Sequence, residues 1–285
     1  MITLRQTLLE TSNTLASNGI EEARLEAELL LRHVLGLSKT ELHIQLANTI
    51  SQGQIEVLNR LIQRRLSHEP LAYITGEKEF YGLCFYVNQN TLIPRPETEL
   101  LVEKVLALTH HHPAQVIADI GTGCGAIAIA IAAHSPLAKV HAIDIETSAL
   151  QAAVLNVKRH GVEDRVYLQQ GNLLLSLPES VDIIVANLPY ISDSQMEDLS
   201  DDIRFFEPKI ALCGGPDGLH QVRQLIAQAK GKLLSGGTIL LEIGPGQAMA
   251  TVGFAEQHFR EATVRIETDL SGQERLISIK SKSCK

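Results

Sequence analysis

Between Glu97 and about Ile243, short apolar runs alternate with stretches of helical period, and this alternation constrains the fold more than any other feature of the chain. Strands are predicted at 116–120, 140–144, 166–169, 181–186 and 238–243, with helical patterns at 126–133, 148–160 and 219–234 among them. Because the strand runs are mostly apolar, both of their faces must be covered. A helix between successive strands carries the chain back so that the next strand starts in the same direction. The expected core is a mostly parallel sheet with helices on both faces. Two last runs, 262–267 and 275–280, are linked through Asp269-Leu270-Ser271-Gly272. That link is too short for a helical crossover, so an antiparallel pair is expected, completing a seven-stranded sheet.

The N-terminal part has a different texture. Leu4, Leu8 and Leu15 mark one helical face, Ala23, Ala27, Leu30 and Val34 a second, and Ile55, Leu58 and Ile62 a third. Gly19, Gly36 and Gly53 stand where such helices would stop or turn. Next come the β-formers Phe80, Tyr81, Phe85, Tyr86 and Val87, then turn-like Asn88-Gln89-Asn90 and Leu92-Ile93. A β-hairpin is expected here, its aromatic side chains either packed on neighbours or forming a recognition surface. The resulting division is 1–75 for a helical domain, 76–96 for a hairpin linker and 97–285 for the α/β domain.

Composition narrows the function. The 285 residues, 45% apolar and 20% charged, suit one large globular domain with a smaller one attached. A formal charge of −8 opposes a main task of gripping nucleic-acid phosphates, so no stable nucleic-acid binding is expected. Cys84, Cys124, Cys213 and Cys284 form no CxxC pair, which argues against a disulfide framework and a thiolate zinc site. The run His110-His111-His112 before Pro113 reads as a solvated loop, and no metal site is predicted. Arg5 and Glu10 interrupt the N-terminal apolar residues, against a secretory signal. No run of about 18 apolar residues predicts a membrane span. A cytoplasmic protein is expected.

The segment VIADIGTGCGAIAIAIAAH is a strand, a glycine-rich turn and a helix in succession. Gly121, Gly123 and Gly125 permit a tight turn and close approach of a ligand to the backbone. Asp144, at the end of the next strand, stands where an acid accepts hydrogen bonds from ribose hydroxyls. An adenosine-type ligand is expected. The Gly-x-Gly-x-Gly spacing departs from the Gly-x-Gly-x-x-Gly of dinucleotide sites. Further on, VDIIVAN runs into Leu188-Pro189-Tyr190, placing Asn187 at the C-terminal end of a strand, where open α/β sheets hold their ligands. An amide or aniline-like nitrogen attacks poorly because its lone pair is spread into a π-system. The Asn187 side-chain oxygen and the Leu188 carbonyl can each accept one of its N–H bonds, aiming the lone pair and stabilising developing positive charge. Pro189 stiffens the turn, and Tyr190 offers a stacking face.

Asp119 followed by the glycine triplet resembles the first motif of S-adenosylmethionine-dependent methyltransferases, and Asn187-Leu188-Pro189-Tyr190 resembles the catalytic motif of those acting on planar nitrogens. Leu241-Glu242-Ile243-Gly244-Pro245-Gly246 resembles the cofactor loop of ribosomal RNA adenine dimethylases, but it follows the Asn-Leu-Pro-Tyr motif instead of preceding it, so it reads as a fifth strand and its exit turn. The ordered set of helical domain, hairpin, Pro94-Arg95-Pro96-Glu97-Thr98-Glu99, DIGTGCGAIAIA, NLPYI, FEPKIALCGGPDGL and SGQERLISI resembles the peptide chain release factor N5-glutamine methyltransferases over essentially its whole length. The resemblance implies a class I S-adenosylmethionine-dependent methyltransferase fold and methylation of the glutamine in a Gly-Gly-Gln loop, with the helical domain docking the release factor. It implies a cofactor set of Asp119 near the methionine ammonium, Gly121, Thr122, Gly123, Cys124 and Gly125 along the methionine moiety, Asp144 on the ribose, and Ile145, Asn172, Leu173 and Asn187. For the acceptor it implies Asn187 to Tyr190, with Arg95 and Glu97 at the mouth. An equally weighted reading makes Arg95, Glu97 and Glu99 parts of a proline-led helix start. Phe205, Phe206, Glu207 and Pro208 are expected in a loop over the acceptor. Leu188 stands where the family commonly has proline, and Asn172 where it often has an acid. The competing reading is an N6-adenine methyltransferase acting on RNA or DNA; a non-enzymatic cofactor-binding module is a third.

Overall fold

The computed structural model describes residues 2–112 and 115–282, so Pro113 and Cys284 lie outside the described residues. Two compact units emerge: Met1–Gly76 with Asp201–Phe206, and Glu77–Ser200 with Glu207–Lys285.

The first unit contains helices α1 (Leu4–Ser17), α2 (Ala23–Leu35), α3 (Lys39–Ile44), α4 (Gln52–Leu66) and α5 (Leu71–Thr75). Thr3, Ser38 and Ser51 start α1, α3 and α4 with reciprocal capping boxes, satisfying backbone donors that would otherwise be orphaned. Leu4, Leu15, Ala27, Leu30, Leu58 and Ile62 turn inward, as their spacing predicts. Gly36 closes α2 in the left-handed region. Gly53 does not stop a helix: it sits in the first turn of α4, where the Ser51 cap outweighs its low propensity.

In the second unit, β1 (Glu77–Phe80) and β2 (Leu83–Tyr86) form the expected hairpin, but the chain reverses at Tyr81-Gly82 instead of Asn88–Asn90. Both turn residues have positive φ, the requirement of a two-residue hairpin loop. Asn88 instead folds a local turn, its Oδ1 accepting from Asn90 N–H. Phe80 and Phe85 are buried against each other edge-on, so they belong to the core and present no recognition surface.

The rest of the unit runs α6 (Glu99–His111), β3 (Val116–Ile120), α7 (Ala126–His134), β4 (Lys139–Asp144), α8 (Thr147–Arg159), β5 (Val166–Gln170) and β6 (Val181–Ala186). After α9 (Asp201–Phe206), which clusters with the first unit, come α10 (His220–Ala229), β7 (Leu233–Glu242), α11 (Ala248–His258), β8 (Thr263–Thr268) and β9 (Glu274–Lys280). His110 and His111 therefore close α6 and do not stand in a loop. The sheet order is β5-β4-β3-β6-β7-β9-β8, parallel except for β9, which runs antiparallel to both β7 and β8. The predicted helix over 219–234 is shorter than expected, because Lys230-Gly231 ends it and Leu233 already pairs with Val181. Residues 126–132 of α7 are all buried, which places the helix after the glycine turn inside the core. The chain moves outward from β3 to β5, returns to β6 on the other flank of β3, and moves outward again. The carboxyl ends of β3 and β6 thus flank the topological switch point, where such sheets bind ligands.

Candidate active site

The turn after β3 is held by its own neighbourhood. Gly121 and Thr122 N–H both donate to the Ile143 carbonyl, at 2.8 and 3.0 Å, and Gly125 N–H returns to the Thr122 carbonyl. All three glycines have positive φ. At Gly125 a Cβ would come within 2.9 Å of Ile129 Cδ1, so glycine also lets α7 begin close to the sheet. Asp119 is wholly buried, its Oδ2 accepting from Thr122 Oγ1 (2.6 Å) and Ala128 N–H (3.1 Å). Its Oδ1 is buried without a partner, and burial pushes the carboxyl up to about 7 against the pull of those donors. Asp144 accepts from Gly123 N–H (2.8 Å) and Glu146 N–H (2.9 Å), one bond to each oxygen. Burial raises its pKa, and the two backbone donors oppose the rise.

Asn187 follows β6 directly, and its Nδ2–H donates to Thr98 Oγ1 at 3.0 Å. A cavity at the switch point is lined by Gly121, Gly123, Asp144, Ile145, Asn172 and Leu173 on one side. Asn187, Leu188 and Pro189 line the other. The sequence-predicted residues therefore meet there, with four exceptions on the cofactor side and with Arg95, Glu97 and Tyr190 outside its lining on the acceptor side. Asp119, Thr122, Cys124 and Gly125 do not line the cavity; all four are buried. Burial also lifts the Cys124 thiol to about 12, which excludes a thiolate role. Tyr190 lies behind Pro189, largely buried, and burial followed by the Glu242 charge raises its phenol to about 12.

These residues suit a nucleoside bearing an amino-acid tail. Asp144 still has a free lone pair on each oxygen for a ribose diol. The orphaned Asp119 oxygen leaves one unused acceptor buried beneath the turn. At Gly121 a Cβ would meet Leu188 Cδ2 at 3.2 Å, so only glycine leaves this floor open.

Two family models match the chain: the PrmC N-terminal domain over residues 6–76 and the methyltransferase small domain over residues 96–204. A release factor glutamine methyltransferase of Rhodopirellula baltica is 37% identical over 279 residues, 95% of this chain and 94% of that protein. One from Moorella thermoacetica is 40% identical over 275 residues, 96% of this chain and 97% of that one. The chain belongs to the release factor glutamine methyltransferase family. A solved methyltransferase structure from Pyrococcus furiosus, 18% identical with a TM-score of 0.53 over 79% of this chain and 98% of its own, shares the fold.

In this family member, the Asn-Leu-Pro-Tyr turn is buttressed from far along the sequence. Gln247 Nε2–H donates to the Tyr190 carbonyl at 2.8 Å, and Gly214 N–H to the Ile191 carbonyl at 2.8 Å. A Cβ on Gly214 would stand 2.5 Å from the Pro189 carbonyl, and one on Gly218 2.1 Å from that of Tyr190. The glycines of CGGPDG thus serve backbone-on-backbone packing, a role that no local pattern in the sequence assigns.

Glu99 resolves to structure, its carboxylate accepting from Tyr81 N–H at the hairpin turn (2.8 Å). Arg95 pairs with Glu207, whose second oxygen accepts from Ile93 N–H, so this pair ties the strand exit to the loop before Pro208. Glu97 is exposed, and Pro208 lines the cavity. Phe205 and Phe206 end α9, with Phe205 exposed. Asn156, a further unpredicted residue, is fully buried and makes three hydrogen bonds to the backbone of two residues. Its Nδ2 donates to the Tyr86 and Cys124 carbonyls, and its Oδ1 accepts from Tyr86 N–H. Among the described residues no group of three or more His, Cys, Asp or Glu comes together as a metal site. No helix among them is long and apolar enough to cross a membrane.

Proposed function

We propose that this protein transfers a methyl group from S-adenosylmethionine to the side-chain amide nitrogen of the glutamine in the Gly-Gly-Gln loop of peptide chain release factors. The observation that carries the reading is the Asn187 amide. One of its two N–H bonds goes to Thr98, which turns the NH₂ toward that hydroxyl and leaves Oδ1 to accept an N–H from the substrate at the cavity wall. The Leu188 carbonyl on the same wall takes the second N–H. A primary amide, NH₂ on a planar carbon, satisfies both acceptors. Held this way, its lone pair points out of the amide plane, and positive charge developing on nitrogen is met by two oxygens. When bound, S-adenosylmethionine supplies an electrophilic methyl on a sulfonium centre. No base need act before attack, since the acidified N–H loses its proton after the methyl is bound.

The acceptor-binding residues favour a neutral group that donates two hydrogen bonds, which both glutamine and adenine offer. Family membership and the net charge of −8 favour the protein substrate. The helical unit of residues 1–76, with exposed Leu9, Leu25 and Ile44, is proposed to dock the body of the release factor.

The reading is tested by labelled-methyl transfer to a purified release factor, its Gly-Gly-Ala variant and bulk RNA. Label is expected on the intact factor alone. Label on RNA, or equal label on the Gly-Gly-Ala variant, overturns it.

A further inference from the structure

Leu241 of β7 is the register partner of Ala186 of β6, so the next residues, Glu242 and Asn187, emerge side by side at the carboxyl end of the sheet. Glu242 is a carboxylate in an otherwise apolar strand end and is only 2% exposed. It neither lines the cavity nor forms an ion pair at bonding distance among the described residues. The hydroxyls of Thr98 and Tyr190 are its polar neighbours, each holding its pKa down, and its Oε2 is buried without a partner. Leaving a carboxylate oxygen unsatisfied is costly, and burial alone gives the fold no reason to retain it.

We infer that Glu242 is a positioning residue for methyl transfer: by accepting from the Thr98 hydroxyl it fixes which face of the Asn187 amide meets the acceptor. The inference rests on the reading of Asn187 given above. An ionised carboxylate only accepts, so Thr98, itself 4% exposed, must turn its hydroxyl proton toward Glu242. The lone pairs of Thr98 Oγ1 then face Asn187, which can meet them only with Nδ2–H. The Oδ1 is thereby turned toward the substrate. One buried charge imposes donor-to-acceptor direction on the whole chain Asn187–Thr98–Glu242.

Protonation removes that direction. A neutral Glu242 can donate to Thr98, freeing the Thr98 proton to point at Asn187 and favouring the flipped amide, which would present NH₂ to another NH₂. Burial pushes Glu242 up to about 7, with Thr98, the Arg275 charge and Tyr190 pulling it down and Glu97 pushing it up. The ionised, productive form is therefore lost as the pH falls through neutrality.

Variants of the full chain test this, with methyl transfer to a purified release factor as the rate assay and thermal melting and cofactor binding as controls. Thr98→Val and Glu242→Gln should each lower kcat roughly thirtyfold, with cofactor affinity within about twofold. Thr98→Ser, which restores only the hydroxyl, should recover most of the loss. The wild-type rate should rise with pH toward neutrality, and Glu242→Gln should flatten that limb. In an Asn187→Ala background, Thr98→Val should cost less than about twofold further, because its effect passes through the amide. Wild-type kcat in both Thr98→Val and Glu242→Gln overturns the inference. So does a Thr98→Val loss that multiplies with that of Asn187→Ala, or one that Thr98→Ser fails to recover. Should Asn187→Ala itself keep wild-type kcat, the underlying reading of Asn187 fails instead, a distinguishable result.

Discussion

The two walls of the cavity are built in different ways. The glycine turn after β3 is held by residues within about 25 positions of itself: Ile143, Asp144, Thr122, and Asp119 reaching Ala128. The Asn-Leu-Pro-Tyr turn after β6 is held by Thr98 from 89 positions before Asn187 and Gln247 from 57 positions after Tyr190, with Gly214 and Gly218 packed on its backbone. A ligand-cradling loop can be specified locally, because its task is to hold the backbone in one fixed curve that a ligand can approach closely. A turn proposed to aim two oxygens at one reacting nitrogen needs restraint from several directions, and distant segments supply it here.

This contrast explains what can be read in advance. Helices, strands and the antiparallel ending follow from local periodicity, and β3 and β6 fall at the predicted residues because their runs are bounded by turn-forming residues. The hairpin turn falls elsewhere than composition suggests: Asn88-Gln89-Asn90 has the residues of a reversal, whereas Tyr81-Gly82 is made one by the pairing of Phe80 with Leu83. Gly121, Gly123 and Asp144, which line the cavity, are legible as a motif. Thr98, Asn156, Gly214, Gly218 and Glu242 are not, since each acts on a partner fixed only by the tertiary fold. Glu242 does leave one trace, a lone acid within the apolar run ILLEIG.

If the acceptor turn depends on remote backbone packing, the largest effect should come from a residue that never meets substrate. Gly218→Ala places a methyl within 2.1 Å of the Tyr190 carbonyl at a φ of +76°. It should destabilise the second unit by roughly 3 kcal/mol, from left-handed strain plus overpacking against backbone. The urea-denaturation midpoint is the measurement, and a wild-type midpoint would mean the turn tolerates movement of its support. On the other wall the expected damage is confined to one ligand. Asp144→Ala should weaken cofactor binding by about thirtyfold, near 2 kcal/mol for two charge-assisted hydrogen bonds. At saturating cofactor, kcat should stay within a few fold. Isothermal titration resolves the two, and unchanged affinity would remove Asp144 from the ribose.

Each wall also buries one carboxyl, Asp119 behind the glycine turn and Glu242 behind the acceptor turn, and burial holds both near 7. The unfolded chain would ionise them at ordinary carboxylate values, so between about 4 and 7 the native protein binds more protons than the unfolded one. Unfolding then releases protons, and the contribution of these two groups to stability declines as the pH rises through that window. The site geometry is thus opposed by the fold's own proton balance at the pH where Glu242 becomes the directing charge. Combining Asp119→Asn with Glu242→Gln should flatten this decline in the urea midpoint between about pH 5 and 7, read against the slope of the wild type. An unchanged slope would assign it to other groups.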